Sequence, residues 1–300
     1  SDPVSMYLPG FKNWYGEGKD SVTIRVEDLF THTSGLPAYA PVSSLAEPNG
    51  KPNPAKLMAH IAHVKRNFRP RSDMQYSCLN YITLQNIVER ITGESLRTFA
   101  ANNIFIPLGM KHTDFLPCTA DKNGKLTNTA QARWLVNGEK ADLTPIAPTE
   151  RLANGMVKLG QVHDPLACNA GLFSSAEDVA TLCAMLQNGG EWGGKRILSP
   201  LTVKAMRAVP THFNSFGRAY GWDVNSAYAS NKGDLLSNEA YGHTGYTGTS
   251  IVIDPVNDVS IILLCNSVHP VDASNVIRLR AQVANAVAAS ITNETAPYPP

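Results

Sequence analysis

Apolar residues recur at helical spacing in the first half of the chain, between loops rich in proline, glycine and asparagine. We expect a helix to begin near Asn80 and to end at Gly93, because glycine readily takes the left-handed conformation that closes a helix. The expected inner face of this helix has the i, i+3, i+4, i+7 spacing and consists of Leu84, Ile87, Val88 and Ile91.

Capping residues predict shorter helices on both sides of this one. Thr23 would cap a helix that carries Val26, Leu29 and Phe30 and ends at 33–35. Ser95 would cap a helix after Gly93. The stretch from 111 to 160 has weak signals, and we expect loops with short elements there.

Two helices are predicted in the second half. Ser174 and Ser175 stand at capping-box distance from acidic residues, ahead of an inner face formed by Val179, Leu182, Cys183 and Leu186. The last helix would begin at Ser274, with an inner face formed by Val276, Leu279, Val283 and Val287.

A β-hairpin is predicted between these two helices. The apolar segments 249–253 and 259–265 flank the turn 254–258. The second segment is apolar on both faces, so we expect it to be a central strand covered by helices. The chain is therefore predicted to be α+β (an α/β sandwich), with an antiparallel sheet flanked by helices over 166–300 and a mostly helical part over 1–165.

The charge balance excludes some classes of partner. The chain has 26 Lys and Arg against 25 Asp and Glu, a net charge of +1, which gives no electrostatic footprint for a nucleic acid. No apolar run is long enough to span a membrane. The five widely spaced cysteines match neither a disulfide framework nor a zinc pattern, so free thiols and no metal or cofactor are expected.

Tyr76 stands just before the predicted helix. Exposed N–H groups and the helix dipole create a positive potential at such a position, which favours phenolate, so this tyrosine could act as a general base. The alternative is a packing aromatic residue with an ordinary hydrogen-bond partner.

A glycine-rich stretch, 241–249, leads into the hairpin. Its three glycines would let a strand edge approach a ligand, and a backbone N–H on this edge could form half of an oxyanion hole. His243 would point into the same space. A glycine-rich turn with a hydrogen-bonded histidine is the alternative.

Taken together, several motifs give the chain a resemblance to a known family. The motifs are Thr-His-Thr-Ser-Gly-Leu-Pro at 31–37, Tyr76-Ser77, Ile-Thr-Gly at 91–93, Ile-Phe-Ile-Pro-Leu-Gly-Met at 104–110 and Gly-His-Thr-Gly-Tyr-Thr-Gly at 242–248. In this order they closely resemble the class C β-lactamase-like and penicillin-binding-protein family, which includes esterases and D-amino-acid peptidases. The resemblance covers essentially the whole chain.

The resemblance implies a β-lactamase/transpeptidase-like fold and serine hydrolase chemistry. Family members acylate a serine of a Ser-x-x-Lys pair, relay protons through a tyrosine and line the opposite wall with a Lys/His-Thr-Gly strand. Tyr76 matches the tyrosine, and His243 matches the strand, with the N–H of Tyr246 as an oxyanion donor. Residues implied to contact the substrate are Cys78, Thr244, Gly245 and Tyr39.

Three departures from the family pattern affect this interpretation. No Ser-x-x-Lys occurs in the 300 residues, so we expect the nucleophile and the N-terminal strands to lie on a segment outside this sequence, and the sequence as given not to acylate. Cys78 replaces the usual Asn or Asp, and a thiol is a weak hydrogen bonder. The loop 162–171 is several residues shorter than expected, which either a shortened loop or an omitted stretch would explain.

His243, where β-lactamases usually carry lysine, indicates the substrate class. Histidine is mostly neutral at pH 7, with an ordinary pKa of about 6.5, so carboxylate recognition should be weaker and esters or neutral amides favoured. A β-lactam or a cell-wall D-amino-acid peptide is a further possible substrate. The competing hypothesis is a non-catalytic relative that binds a ligand or partner. The family resemblance implies a periplasmic or secreted location.

Overall fold

The computed structural model describes residues 1–45, 47–48, 53–115, 118–120, 126–128, 135–136, 139–140, 170–211, 216–268 and 274–292. The α-helices are α1 (Val4–Tyr7), α2 (Val26–Phe30), α3 (Val42–Leu45), α4 (Pro54–His63), α5 (Cys78–Thr92), α6 (Leu96–Ala100), α7 (Ala176–Gln187), α8 (Pro200–Arg207) and α9 (Ile277–Ala289). A π-helical turn spans Ala101–Phe105, and a 3-10 helix spans Ala229–Lys232.

The strands are short except in one sheet. They are β1 (Trp14–Tyr15), β2 (Ser21–Val22), β3 (Asp114–Phe115), β4 (Cys118–Ala120), β5 (Leu126–Asn128), β6 (Leu135–Val136), β7 (Glu139–Lys140), β8 (Leu172–Phe173), β9 (Glu191–Trp192), β10 (Lys195–Arg196), β11 (Tyr241–Thr244), β12 (Ser250–Asp254) and β13 (Val259–Leu263). All the described strand pairs are antiparallel.

The chain divides into two compact units. The first comprises Ser1–Asn102, Asp114–Ala132 and Ala153–Phe173, and the second comprises Asn103–Thr113, Arg133–Leu152 and Ser174–Pro300. The predicted boundary between 165 and 166 lies outside the described residues, as does most of the loop 162–171. No helix in the described ranges combines the length and apolar character needed to cross a membrane.

The core of the first unit forms where α1, α2, α4 and α5 pack their apolar faces together. Leu29, Leu57 and Ile61 are each almost completely buried there. Burying such side chains stabilises a fold by roughly 1.5–3 kcal/mol each. This core fixes the position of the N-terminal end of α5, where Tyr76 lies.

Helix α5 ends as predicted, but its buried face differs. Gly93 closes it in the left-handed conformation, with φ of 72°. Ile91 is 61% exposed, so its assignment to the inner face is wrong. The buried apolar residues lie nearer the N-terminus of the helix, because the core contacts its first three turns: Leu79, Ile82, Leu84 and Ile87.

Helix α2 also departs from its prediction at both ends. Its N-cap is Arg25, whose N–H donates to the Asp28 carboxylate over 2.8 Å, and not Thr23. The helix ends at Phe30, before the predicted stop at 33–35, because His32 takes a left-handed conformation with φ of 59°.

The second unit contains a three-stranded sheet in the order β11-β12-β13. The hairpin of β12 and β13 is confirmed, with Ser250 opposite Leu263 and Asp254 opposite Val259. The expectation of a central β13 is wrong for the described residues, in which β12 is the middle strand and β13 has one neighbour.

Helices cover the sheet in the second unit. Ser260 of β13 donates to Gln187 of α7 over 2.7 Å, while Val252 and Ile261 pack with Ala284 of α9. Ser175 caps α7 as predicted, accepting from the N–H of Asp178.

Helix α9 begins at Ile277, with Val276 rather than Ser274 as its N-cap. Leu279 is 43% exposed, so its predicted place on the inner face is wrong. Arg280 and Ala284 are buried instead. The spacing of the apolar residues predicted the helix correctly, but it did not predict that an arginine would be buried.

Candidate functional site

Tyr76 is half-buried and lies immediately before the N-cap of α5. The following residues are tied to a neighbouring loop: Ser77 Oγ donates to the Pro37 carbonyl over 2.6 Å, and the Cys78 N–H donates to the Ala38 carbonyl over 3.0 Å. The loop then continues to Tyr39, whose side chain is 73% exposed. The first unit therefore brings the segments of Tyr76, Cys78 and Tyr39 together.

A buried polar cluster lies beneath Tyr76. The His32 ring is 4.2 Å from the Tyr76 ring between centroids, with an interplanar angle of 32°. His32 Nδ1 lies 3.1 Å from the Ser77 backbone N and 3.0 Å from Asn80 Nδ2. Asn80 Oδ1 in turn accepts from Ser34 Oγ over 2.6 Å. The sequence interpretation used the motif 31–37 as a family marker and gave these side chains no role.

The partners of His32 fix its protonation. A backbone N–H and a side-chain amide NH₂ can only donate, so Nδ1 of His32 must accept from Ser77 and Asn80. The ring proton therefore sits on Nε2, and the imidazole is neutral.

The glycines of the segment 242–248 are needed for packing within the second unit. A Cβ added at Gly242 would come within 2.2 Å of the Ile251 carbonyl oxygen, and one at Gly245 within 2.3 Å of Thr249 Oγ1. Gly248 has φ of 125°, a conformation that other residues rarely adopt. Contacts within the protein thus account for Gly242 and Gly245, and the backbone conformation accounts for Gly248.

Arg280 holds the turn that follows β11. Its Nη2 donates to the carbonyls of Gly245 over 2.7 Å and Thr249 over 3.0 Å, and its Nε donates to Gly248 over 3.1 Å. The Gly245 N–H also donates to the Thr249 carbonyl over 2.7 Å, which closes the turn. Burial lowers the pKa of Arg280 from its ordinary value. A buried guanidinium satisfied by three carbonyls gives a fixed backbone on either side of Tyr246, which itself is 70% exposed.

His243 on β11 faces a buried ion pair. Its Nε2 lies 2.8 Å from Arg218 Nη2, and its Nδ1 lies 2.8 Å from the Thr244 carbonyl oxygen. Arginine has donors and no acceptor, so Nε2 accepts from Arg218 and the proton on Nδ1 is donated to Thr244. Burial, followed by the positive charge of Arg218, lowers the pKa of His243 below its ordinary value. His243 is therefore held in one neutral tautomer.

Asp223 balances the charge of Arg218. Arg218 Nη1 donates to Asp223 Oδ1 over 2.5 Å, and both side chains are essentially fully buried. Ser226 Oγ donates to the same oxygen over 2.5 Å. The backbone of Asp223 pairs with Gly242 in both directions, at 2.8 and 2.9 Å. Asp223 thus fixes the guanidinium relative to the strand that carries His243.

The predicted site residues fall into both units. Tyr76, Cys78 and Tyr39 belong to the first, while His243, Thr244, Gly245 and Tyr246 belong to the second. Their catalytic and substrate-binding roles, and the expectation that the two groups face a common cleft, stay predictions.

Sequence reasoning missed four residues around these positions: Arg218, Asp223, Arg280 and Asn80. No local motif marks the first three. Arg218 contacts His243 25 residues away, and Arg280 binds backbone carbonyls more than 30 residues away. Asp223 lies five residues from Arg218, but two opposite charges at that spacing do not by themselves predict a buried pair. Asn80 could have been noticed as a polar residue inside an otherwise apolar helix segment, four positions after Tyr76.

Cys78, Cys183 and Cys265 are free thiols. Burial raises the pKa of Cys183 to about 11, which keeps its thiol protonated. Within the described ranges, no group of three or more His, Cys, Asp and Glu side chains is placed to hold a metal ion. His163 and Asp164, which could form a loop hydrogen bond or a charge pair at the rim of a pocket, lie outside the described residues.

The first unit is helical and has a tyrosine at the start of a helix. The second unit has an antiparallel sheet that is flanked by glycines and covered by helices. These are the elements of a β-lactamase/transpeptidase-like fold. Residues 1–285 match the protein family described as Beta-lactamase, so the chain belongs to the β-lactamase family.

Curated relatives support this membership. A protein of Escherichia coli (strain K12), provisionally named as a D-alanyl-D-alanine carboxypeptidase, is 32% identical over 279 residues, covering 89% of this chain and 63% of its own length. Its counterpart in Salmonella gallinarum is 33% identical over 282 residues, with 90% and 63% covered. The chain thus spans just under two thirds of these relatives.

Solved structures share the fold at lower identity. EstCE1, a hydrolase with promiscuous acyltransferase activity, superposes with a TM-score of 0.61 at 23% identity, covering 94% of this chain and 77% of its own. A penicillin-binding protein homologue from Caulobacter crescentus gives 0.59 at 20% identity, with 95% and 76% covered. An octameric homologue from Pyrococcus abyssi gives 0.58 at 21% identity, with 95% and 59% covered.

Proposed function

We propose that the protein is a serine hydrolase that forms an acyl-enzyme with esters or neutral amides. The nucleophile would come from a Ser-x-x-Lys pair outside the 300 residues, and no metal or organic cofactor would take part. Tyr76 would relay protons, and the N–H of Tyr246 would donate to the oxyanion, with Thr244 and Gly245 lining the strand side. Cys78 and Tyr39 would contact the substrate from the tyrosine side.

The proposed substrate class depends on the neutral tautomer of His243. In the family pattern a lysine at this position offers a permanent cation to a substrate carboxylate. His243 uses Nε2 to accept from Arg218 and Nδ1–H to donate to Thr244, so both ring nitrogens are already engaged within the protein. A neutral, engaged imidazole provides little attraction for a carboxylate, which favours substrates without one.

The test compares two substrates on the full-length protein. We expect short-chain aryl esters to be cleaved with a higher kcat/KM than a chromogenic cephalosporin, which carries a carboxylate. The matched variant is His243→Gln, a neutral side chain that can still accept from Arg218. Because the wild-type imidazole is already neutral, the variant should keep the order of the two substrates.

A faster reaction with the cephalosporin would contradict the proposed substrate class. A second variant tests the chemistry itself: Tyr76→Phe should lower the acylation rate about 10²–10⁴-fold, the usual scale for general acid–base catalysis. An unchanged rate would show that Tyr76 is a packing residue.

D-alanyl-D-alanine carboxypeptidase activity is a second candidate. It is favoured by the curated relatives, which are 32–33% identical and bear that provisional name. The chemistry would be the same, with a D-Ala-D-Ala peptide as the acyl donor. Release of D-alanine from such a peptide at a kcat/KM above that for aryl esters would select this function over the first.

A non-catalytic role is the remaining alternative, in which the fold binds a ligand without acylation. Labelling of the full-length protein by a fluorophosphonate probe, lost on substitution of the serine in Ser-x-x-Lys, would exclude it. We also propose a periplasmic or secreted location on the basis of family membership, to be checked by cell fractionation.

A further inference from the structure

The buried histidine beneath Tyr76 has no role in the function described above. We propose that His32 is a positioning residue for Tyr76: its backbone and ring together fix the three consecutive residues 75–77. This inference rests on the proposed function, because it assumes that the orientation of the Tyr76 hydroxyl matters for acyl transfer.

Contacts to each of the three residues support the proposal. The His32 carbonyl accepts from the Gln75 N–H over 3.0 Å, and Nδ1 accepts from the Ser77 N–H over 3.1 Å. Between these two anchors the His32 ring lies against the Tyr76 ring, with centroids 4.2 Å apart. The tyrosine is thus held by its neighbours on both sides and by one of its faces.

The backbone conformation of His32 is unusual for a residue other than glycine. Its φ is 59°, and its side chain is 1% exposed. Non-glycine residues in this region cost about 1–3 kcal/mol and persist where the surroundings hold them in place. Here the left-handed turn directs the imidazole from the end of α2 toward the start of α5, where Tyr76 lies.

Asn80 extends the same support from within α5. It donates to His32 Nδ1 over 3.0 Å while accepting from Ser34 over 2.6 Å, and it is fully buried. The ring of Tyr81 also lies near the imidazole, with centroids 5.2 Å apart. A ring with these contacts cannot rotate without losing both hydrogen bonds to Nδ1, so it offers Tyr76 a rigid surface.

The decisive experiment is a double-mutant cycle on the full-length protein with an aryl ester as substrate. His32→Gly keeps the left-handed backbone and removes the ring, and it should lower the acylation rate about 10²-fold with little change in KM, the scale expected for a misplaced catalytic group. In the Tyr76→Phe background the same substitution should have almost no further effect, because His32 acts through the tyrosine.

Two further variants separate positioning from stability. His32→Asn also tolerates the left-handed conformation and lacks the ring, so it should lower the rate as His32→Gly does, and it decides the question if the glycine variant does not fold. Thr31→Val is the matched control, since Thr31 is buried and donates to the Glu27 carbonyl over 2.8 Å. It should lower the melting temperature and leave the acylation rate unchanged.

The proposal would be overturned if the effects of His32→Gly and Tyr76→Phe multiplied, or if the folded histidine variants acylated at the wild-type rate. ¹⁵N spectroscopy of wild-type histidines gives a readout independent of activity: His32 should show an unprotonated Nδ1, and a protonated Nδ1 would also overturn it. If the wild-type protein does not acylate while this tautomer is observed, the proposed function fails on its own.

Discussion

Each unit has a buried or largely buried histidine at the candidate site: His32 lies beside Tyr76 in the first unit, and His243 is a predicted site residue of the second. The two histidines differ in the groups that donate hydrogen bonds to them. His32 in the first unit accepts from neutral donors, the Ser77 N–H and the Asn80 amide. His243 in the second unit accepts from the guanidinium of Arg218, which is paired with Asp223. Both imidazoles are neutral, and in the second the pKa is lowered first by burial and then by the positive charge of Arg218.

This difference determines how each site should respond to change. Neutral hydrogen bonds contribute about 0.5–1.5 kcal/mol each, and their loss is felt locally. A buried ion pair is stable only as a whole, because removal of one partner leaves the other charge uncompensated. The region around His243 should therefore be more sensitive to substitution than the region around His32.

The largest expected effect comes from breaking the buried pair. Arg218→Met leaves Asp223 buried without its counter-ion and should lower the free energy of unfolding by about 3–5 kcal/mol. Urea unfolding measures this. The control is Arg69→Met, which removes an exposed ion pair with Asp20 and should cost at most about 1 kcal/mol. Equal losses of unfolding free energy in the two variants would show that the buried pair contributes no more to stability than the exposed one.

Arg280 provides a second charged contact near His243. Arg280→Met removes the donors to the carbonyls of Gly245, Gly248 and Thr249 and should cost about 1.5–3 kcal/mol in urea unfolding, the range for hydrogen bonds to a charged group. Arg278→Met, at an exposed position on the same helix, is the matched control and should be near neutral. A loss for Arg280→Met no larger than that of the control would refute the assigned role of Arg280.

The neutral cluster of the first unit should respond less. Asn80→Ala removes one donor to His32 and the acceptor for Ser34, and it should lower the free energy of unfolding by about 1–3 kcal/mol. Asn86→Ala, on the same helix but half-buried and bonded to the Ile82 carbonyl, should cost less. A loss larger than that of Arg218→Met would reverse the contrast between the two regions.

The sequence predicted those features that depend on neighbouring residues. The end of α5 at Gly93, the Ser175 cap and the hairpin of β12 and β13 follow from local rules, and the structure confirms them. Within the part of the chain that the structure describes, β13 does not have the predicted central position, because strand order depends on contacts between distant segments. A strand that is apolar on both faces shows that both faces are covered, not that both edges are paired.

For the candidate site, the sequence indicated positions but not their supporting partners. The motifs gave Tyr76 and His243, and the ordinary pKa of histidine already favoured a neutral His243. The two causes that lower this pKa further, burial and then the charge of Arg218, were not predicted, and Arg218 is 25 residues away along the chain. Arg280 was placed on a helix whose apolar stripe predicted Leu279 inward, since spacing alone does not show which polar residues find buried carbonyls to bind.

The smallest expected effect is a pH dependence of stability that belongs to His243. Its folded-state pKa is lowered, chiefly by burial and then by Arg218, so as pH falls below about 6.5 the unfolded chain binds a proton before the folded one does. Above that pH, His243 therefore does not lower the free energy of unfolding, and below it His243 lowers this free energy increasingly.

His243→Gln removes this proton uptake while keeping an acceptor for Arg218. Urea unfolding of both proteins at a series of pH values from 7 down to 5 should show the wild type losing stability relative to the variant as the pH falls. Subtracting the two curves of unfolding free energy against pH removes the contributions of the other histidines, including His32, because both proteins contain them. A difference that stays constant or grows in favour of the wild type would mean that the imidazole binds a proton in the folded state. In that case the guanidinium of Arg218 would not be donating to Nε2, and the contrast between the two histidines would disappear.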